Sequence, residues 1–182
     1  MNRKATTKFL SDLLASDHLS GIGRYYAREV SIDPFTNHGR RVDFMQFIPD
    51  NQMSVSGIEK GIFVCYEIKS CKEDIYSGNG LTFIGEMNYI VTTMECWKSI
   101  MNDYRDGILD KFIKDKHPES TDHYGILIAI PGGRDLTDEF ENPTPLDADV
   151  DQWRLRTVIP SRRAYRKRSM IELLFFMLRS GK

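Results

Sequence analysis

Three strand-patterned runs follow one another after a single amphipathic segment: RYYAREVSI (24–32), RRVDFMQFI (40–48) and GIFVCYEIK (61–69). The turn-prone stretches DPFTNHG and PDNQMSVSG separate them, and such spacing predicts an antiparallel meander. Ahead of it, TTKFLSDLLASDHLSGIG has Phe9, Leu10, Leu13 and Leu14 on one helical stripe, with Thr6 or Thr7 as cap and Gly21 as terminator. Further on, MNYIVTT (87–93) reads as a short strand and 96–118 as helix. YGILIAIPGG (124–133) reads as a buried strand, 135–149 as an acidic surface loop, and WRLRTVIP (153–160) as another strand. Ser161 is placed to cap a final helix that is basic in its first half and apolar in its second. The expected assembly is a single α/β domain over residues 1–182, with a central mixed sheet flanked by helices.

The third run carries charges where a strand should be buried. Side chains alternate between the two faces of a strand, so Phe63, Cys65, Glu67 and Lys69 share one face. In the second run Arg41, Asp43, Met45 and Phe47 share a face, with Val42, Phe44, Gln46 and Ile48 on the other. Glu67 and Lys69 are either a satisfied ion pair or a site; Asp43 either pairs with Arg40 or Arg41 or joins them. A mid-strand carboxylate is costly unless it is paired or bound to a cation. If the two runs pair as a hairpin, Asp43 and Glu67 converge into a hard anionic pocket suited to Mg2+, which takes one or two carboxylates and keeps several waters. A neighbouring ammonium can then orient water and stabilise charge on a phosphoryl group. Phosphodiester hydrolysis is the reaction implied.

Composition removes other classes. No run approaches the roughly 20 apolar residues of a membrane helix, and the N-terminal segment has Asp12 and Asp17 within its apolar part, unlike a signal peptide. A cytoplasmic protein with no membrane partner is expected. Cys65, Cys71 and Cys96 are odd in number and lack CxxC spacing, and His18, His38, His117 and His123 form no metal-binding pattern. Cys65 reads as a small core hydrophobe.

The net charge of −1 conceals an asymmetry. Residues 134–151 carry Asp135, Asp138, Glu139, Glu141, Asp147, Asp149 and Asp151 against Arg134, whereas 152–182 carry nine Lys or Arg against Glu172. Arg162, Arg163, Arg166, Lys167 and Arg168 form the densest group. On a helix, Arg162 and Arg166, like Arg163 and Lys167, would stack four apart, either as a solvated face or as a grip on a phosphate backbone. Lys72 and the SGNG turn (77–80) could also contact phosphate or be ordinary turn residues. In MIELLFFMLRS, Met170, Leu173, Leu174, Met177 and Leu178 make a core stripe that Phe175 and Phe176 widen, so this helix is either deeply buried or part of a homodimer contact.

Asp43 followed by Glu67-Ile68-Lys69 on a hydrophobic strand resembles the PD-(D/E)xK nuclease superfamily. Across about residues 24–130, RRVDFMQF, FVCYEIKSCKEDIYSGNGLTFIGEMNYIV and YGILIAI are similar to the MmcB-like DNA-repair group and related phage proteins. The resemblance implies a restriction-endonuclease-like αβββαβ core. It also implies a Mg2+ or Mn2+ ion held by Asp43, Glu67 and the Ile68 carbonyl, and water served by Lys69. Arg41-Val42 stands where the superfamily label has Pro. The first helix offers Asp12 and Asp17 rather than the Glu many members use, with Glu29 on the first strand as another candidate carboxylate. The expected activity is metal-dependent cleavage of DNA, with RNA left open as substrate, in repair, recombination or phage DNA metabolism. The alternative is an inactive nucleic-acid-binding or protein-interaction module on the same fold, such as a phage accessory protein.

Overall fold

The computed structural model describes residues 1–37, 39–121, 123–146 and 149–180; His38 and Asp147 lie outside them. Among the described residues six strands form one open mixed sheet in sequence order: β1 (Tyr25–Ile32), β2 (Arg40–Ile48), β3 (Ile62–Ile68), β4 (Met87–Thr93), β5 (Gly125–Pro131) and β6 (Trp153–Ile159). The first three are an antiparallel meander, β3–β4–β5 are parallel, and β6 returns antiparallel. Parallel neighbours need crossovers. One contains the short α3 (Lys72–Ile75); the other contains α4 (Met94–Arg105) and α5 (Ile108–Lys116).

Alternation on β3 divides the core. Val64, Tyr66 and Ile68 face α1 (Arg3–Leu13), whose Phe9, Leu10 and Leu13 cover that side of the sheet. The opposite side holds two clusters. Ile90, Ile126 and Ile128 pack under α4 and α5, while Phe63, Cys65, Val30 and Met45 pack under α7 (Met170–Ser180). Glu67 and Lys69 continue the row of Phe63 and Cys65, so the sheet carries their charges on the side where the two clusters meet.

Several boundaries differ from the sequence expectation. Asn2, not Thr6 or Thr7, caps α1 by accepting from the Ala5 N–H at 2.9 Å, and a π-helical turn, Leu14–His18, precedes Gly21. The 96–118 helix breaks at Gly107, whose φ of 74° suits glycine and ends α4. A short α2 (Val55–Glu59) occupies the second turn segment. The acidic stretch contains α6 (Leu136–Glu141), capped by Asp135, and its Glu139 is buried against Arg134 at 3.0 Å.

The largest correction concerns the C-terminal basic cluster, which is not helical. Residues 160–166 have no regular secondary structure and 167–168 form a bend: Ser161 Oγ accepts from Asn88 N, and Ala164 N donates to the Glu86 carbonyl. SRRAYRKRS has no apolar stripe to bury, and Tyr165 is fully exposed, so these tertiary bonds outcompete helix formation. In α7, Leu173, Phe176 and Met177 are buried while Ile171, Phe175 and Leu178 face outward. Among the described residues no helix is long and apolar enough to cross a membrane.

Candidate functional site

The β2–β3 register pairs Phe44 with Tyr66, and one further step sets Asp43 opposite Glu67. There the β1–β2 ladder is interrupted. Arg28 pairs with Phe44 and Val30 with Val42, but Glu29 and Asp43 are skipped, and Glu29 has a φ of 55°. A non-glycine residue in this region is strained. The kink breaks strict alternation: Val42 joins Met45 and Phe47 in the cluster under α7 instead of siding with Phe44.

Asp43 Oδ2 accepts the Ile68 N–H at 2.8 Å. Its expected partners are engaged elsewhere, Arg41 with Glu29 at 2.6 Å and Arg40 with Glu119 at 2.5 Å. Burial raises the Asp43 pKa, while the Ile68 N–H and Lys69 oppose the rise. Glu67 is completely buried. Its Oε1 accepts from Thr82 N at 3.1 Å, while Oε2 has no partner. Burial, reinforced by the Asp43 carboxylate and opposed by Lys69, pushes its carboxyl up to about 8.

Lys69 is 4% exposed and makes no direct ion pair with Glu67; its Nζ donates to the Asn79 carbonyl at 2.6 Å. Its backbone is fixed beyond the strand end by Val91 O and Thr92 Oγ1. The SGNG turn therefore holds the lysine. Gly80, at φ 70°, closes against the pair: a Cβ there would sit 2.5 Å from Glu67 Oε2 and 3.2 Å from Lys69 Nζ.

These groups line a cleft of about 950 Å³ that also takes in Arg3, Arg40, Asp74 and His117. Among the described residues, five buried side-chain atoms lack a hydrogen-bond partner: Arg40 Nε, Arg40 Nη1, Gln46 Nε2, Glu67 Oε2 and His117 Nε2. Four of the five belong to this cleft, although Arg40 Nη1 remains ion-paired with Glu119; buried polar atoms without a hydrogen bond are costly, and here they gather in one place. A second cleft of about 740 Å³ between β1 and α7 is lined by no carboxylate.

The remaining candidates fall elsewhere. Asp12 is on the outer face of α1, paired with Lys8 at 2.6 Å. Asp17 accepts from Leu155 N. Glu29 is half exposed but close enough to raise the Asp43 pKa. Lys72 pairs with Asp103 at 2.8 Å. Arg166 pairs with Glu86 at 3.2 Å and lies over the Phe63 ring. Arg168 is held by Asp33 and Glu172, and Lys167 Nζ donates to the carbonyls of Glu119 and Ser120. Arg162 and Arg163 point to solvent. Sequence reasoning missed Arg40 and His117 as cleft residues, and Asp74, which is buried, pairs with Arg3 and accepts from Ser70 N.

No group of three or more His, Cys, Asp or Glu side chains among the described residues is arranged to hold a metal ion. A site built on Asp43 and Glu67 has two carboxylates, the number Mg2+ commonly takes from a protein. The unpartnered Glu67 Oε2 is an oxygen such an ion would use. No protein-family model, curated protein or solved structure matches this chain.

Proposed function

We propose that the cleft hydrolyses phosphodiester bonds in DNA with a Mg2+ or Mn2+ ion, on a restriction-endonuclease-like variant of the α/β fold. The observation that carries this reading is the meeting of Asp43, Glu67 and Lys69 from adjacent strands, with Glu67 Oε2 buried and unpaired. Asp43 and Glu67 would hold the ion, with the Ile68 carbonyl as a further oxygen. When bound it would supply a Lewis acid and lower the pKa of a water. The chain's own contribution is positional. The Ile68 N–H fixes Asp43, Asn79 fixes the Lys69 ammonium, and Gly80 leaves room between Glu67 and Lys69. An ammonium so held stabilises charge developing on phosphoryl oxygens without reorganising. Arg162 and Arg163 are the residues of the basic segment free to hold a DNA backbone.

A second reading, a module that binds nucleic acid without cutting it, is favoured by the placement of Asp12 and Glu29, which leaves neither candidate lining the cleft. One experiment separates the two. Cleavage of duplex and single-stranded DNA is measured with Mg2+ or Mn2+ for the native protein, Asp43→Asn and Lys69→Ala, each checked for folding by circular dichroism. Cleavage by the native protein, reduced at least about a hundredfold in both variants, supports hydrolysis. Equal cleavage in native and variant proteins refutes this assignment, and metal-independent binding without cleavage selects the second reading.

A further inference from the structure

Among the described residues, three of the four buried cleft atoms without a hydrogen bond are nitrogens. Arg40, at the start of β2, keeps its side chain 14% exposed, and its Nε has no hydrogen-bond acceptor. Its Nη1 lies 2.5 Å from Glu119 Oε1 but outside hydrogen-bonding geometry. His117, at the C-terminal end of α5, is half-buried and its Nε2 is unpartnered. Both residues line the same cleft as Asp43, Glu67 and Lys69; burial first, then the charges of Arg40 and Lys69, disfavour protonation of His117, while Glu119 and a hydrogen bond to the Gly78 backbone oppose that. A buried guanidinium N–H without an acceptor is costly. The group that best relieves it is an anion, most strongly one with several oxygens.

We propose that Arg40 and His117 form an anion seat that takes a phosphate group of a nucleic acid beside the Asp43–Glu67 pair. The identity of the ligand rests on the nuclease reading above; the existence of the seat does not. Lys167 steadies the far wall by donating to the carbonyls of Glu119 and Ser120, 3.0 Å each, so the basic segment contributes to the seat through architecture. Glu119 competes for Arg40 from the solvent side, with its own side chain half exposed. An arriving phosphate would exchange that contact for one with the buried Nε. The phosphate recognised is either internal to a strand or at its end, since the two share this chemistry.

The test titrates metal-free protein with inorganic phosphate by calorimetry. The native protein is expected to bind; Arg40→Gln and His117→Ala should each lose about tenfold or more, as expected for removal of a charge-assisted hydrogen bond. Glu119→Gln, which removes the competitor, should bind more tightly, a gain that misfolding cannot mimic. Mn2+ binding should be unchanged in Arg40→Gln, which separates the seat from the metal site. Arg40-dependent phosphate binding by a protein that never cleaves DNA would leave the seat standing and remove the catalytic reading. On oligonucleotides, Arg40→Gln should weaken 5′-phosphorylated and 5′-hydroxyl strands alike if the phosphate is internal, and only the former if it is terminal. No phosphate binding by the native protein, or equal affinity in native and Arg40→Gln proteins, overturns the proposal.

Discussion

Replacing Glu67 by Gln should stabilise the metal-free protein at alkaline pH, although it alters the central residue of the site. The unfolded chain loses the Glu67 proton near 4.5, whereas the folded protein keeps it to about 8. Between those values the folded state binds more protons, so stability falls as pH rises through the window and the whole contribution is gone above it. At about 1.4 kcal/mol per pKa unit the ceiling is about 5 kcal/mol, and relaxation around the buried carboxylate brings the expected cost of ionisation to about 2–4 kcal/mol. Gln has the same shape, can accept the Thr82 N–H, and never ionises. Melting temperatures followed from pH 5 to pH 9 in chelator should therefore coincide at the acid end. They should separate in favour of the variant by about 5–10 °C at the alkaline end, since 1 kcal/mol moves a chain of this size by about 2–4 °C. Adding Mn2+ should raise the native protein and leave the variant unmoved, and metal affinity should climb with pH over the same window because the ligand must be ionised. A native–variant difference that is flat in pH would refute the argument that burial governs this carboxyl.

Gly80→Ala should place a methyl 2.5 Å from Glu67 Oε2 at an unfavourable φ, costing about 1–3 kcal/mol by denaturant unfolding and abolishing Mn2+ binding by calorimetry. Arg162→Ala and Arg163→Ala should weaken DNA binding evenly across sequences and each reduce the salt slope by about 1, measured by fluorescence anisotropy. Arg166→Ala should instead cost about 2–4 kcal/mol of stability by stranding the buried Glu86. His18, half-buried beside Tyr66, and His117 both have pKa values below the usual 6.5, chiefly from burial. Their contribution is therefore present above pH 6.5 and lost as pH falls below it. His18→Gln should flatten that acid limb in melting experiments.

All six strand-patterned runs of the sequence are strands, because alternation or a continuous apolar run survives whatever the tertiary context does to the ends. Asp43, Glu67 and Lys69 were legible for the same reason: each is a charge set in a buried pattern, and two faces with period two leave few ways to place it. Arg40 and His117 carry no such signal. Arg40 opens a strand where arginine is ordinary, and His117 ends an amphipathic helix beside Lys114 and Lys116, where a cation suits the helix dipole. Only the folded chain shows that each leaves a side-chain nitrogen without a hydrogen bond in the same cleft. SRRAYRKRS failed in the opposite direction, its four-residue spacings fitting a helix that has nothing to bury.

The strained residue Glu29, inside β1, couples the strand pattern to the placement of Asp43. Strict pairing along β1 and β2 would have kept Val42 on the side of Phe44. Skipping one residue on each strand lets Val42 enter the core under α7 while Asp43 turns to the Ile68 N–H. The strain at Glu29 is thus the local cost of carrying a carboxylate at mid-sheet without leaving a gap in the core. Glu29→Gly, which removes the φ penalty and preserves the kink, should leave Mn2+ affinity intact. Glu29→Val, a β-branched residue that resists φ near 55°, should reduce it by straightening the ladder and swinging Asp43 away from Glu67. Equal Mn2+ affinity in the two variants would show that the kink does not position Asp43.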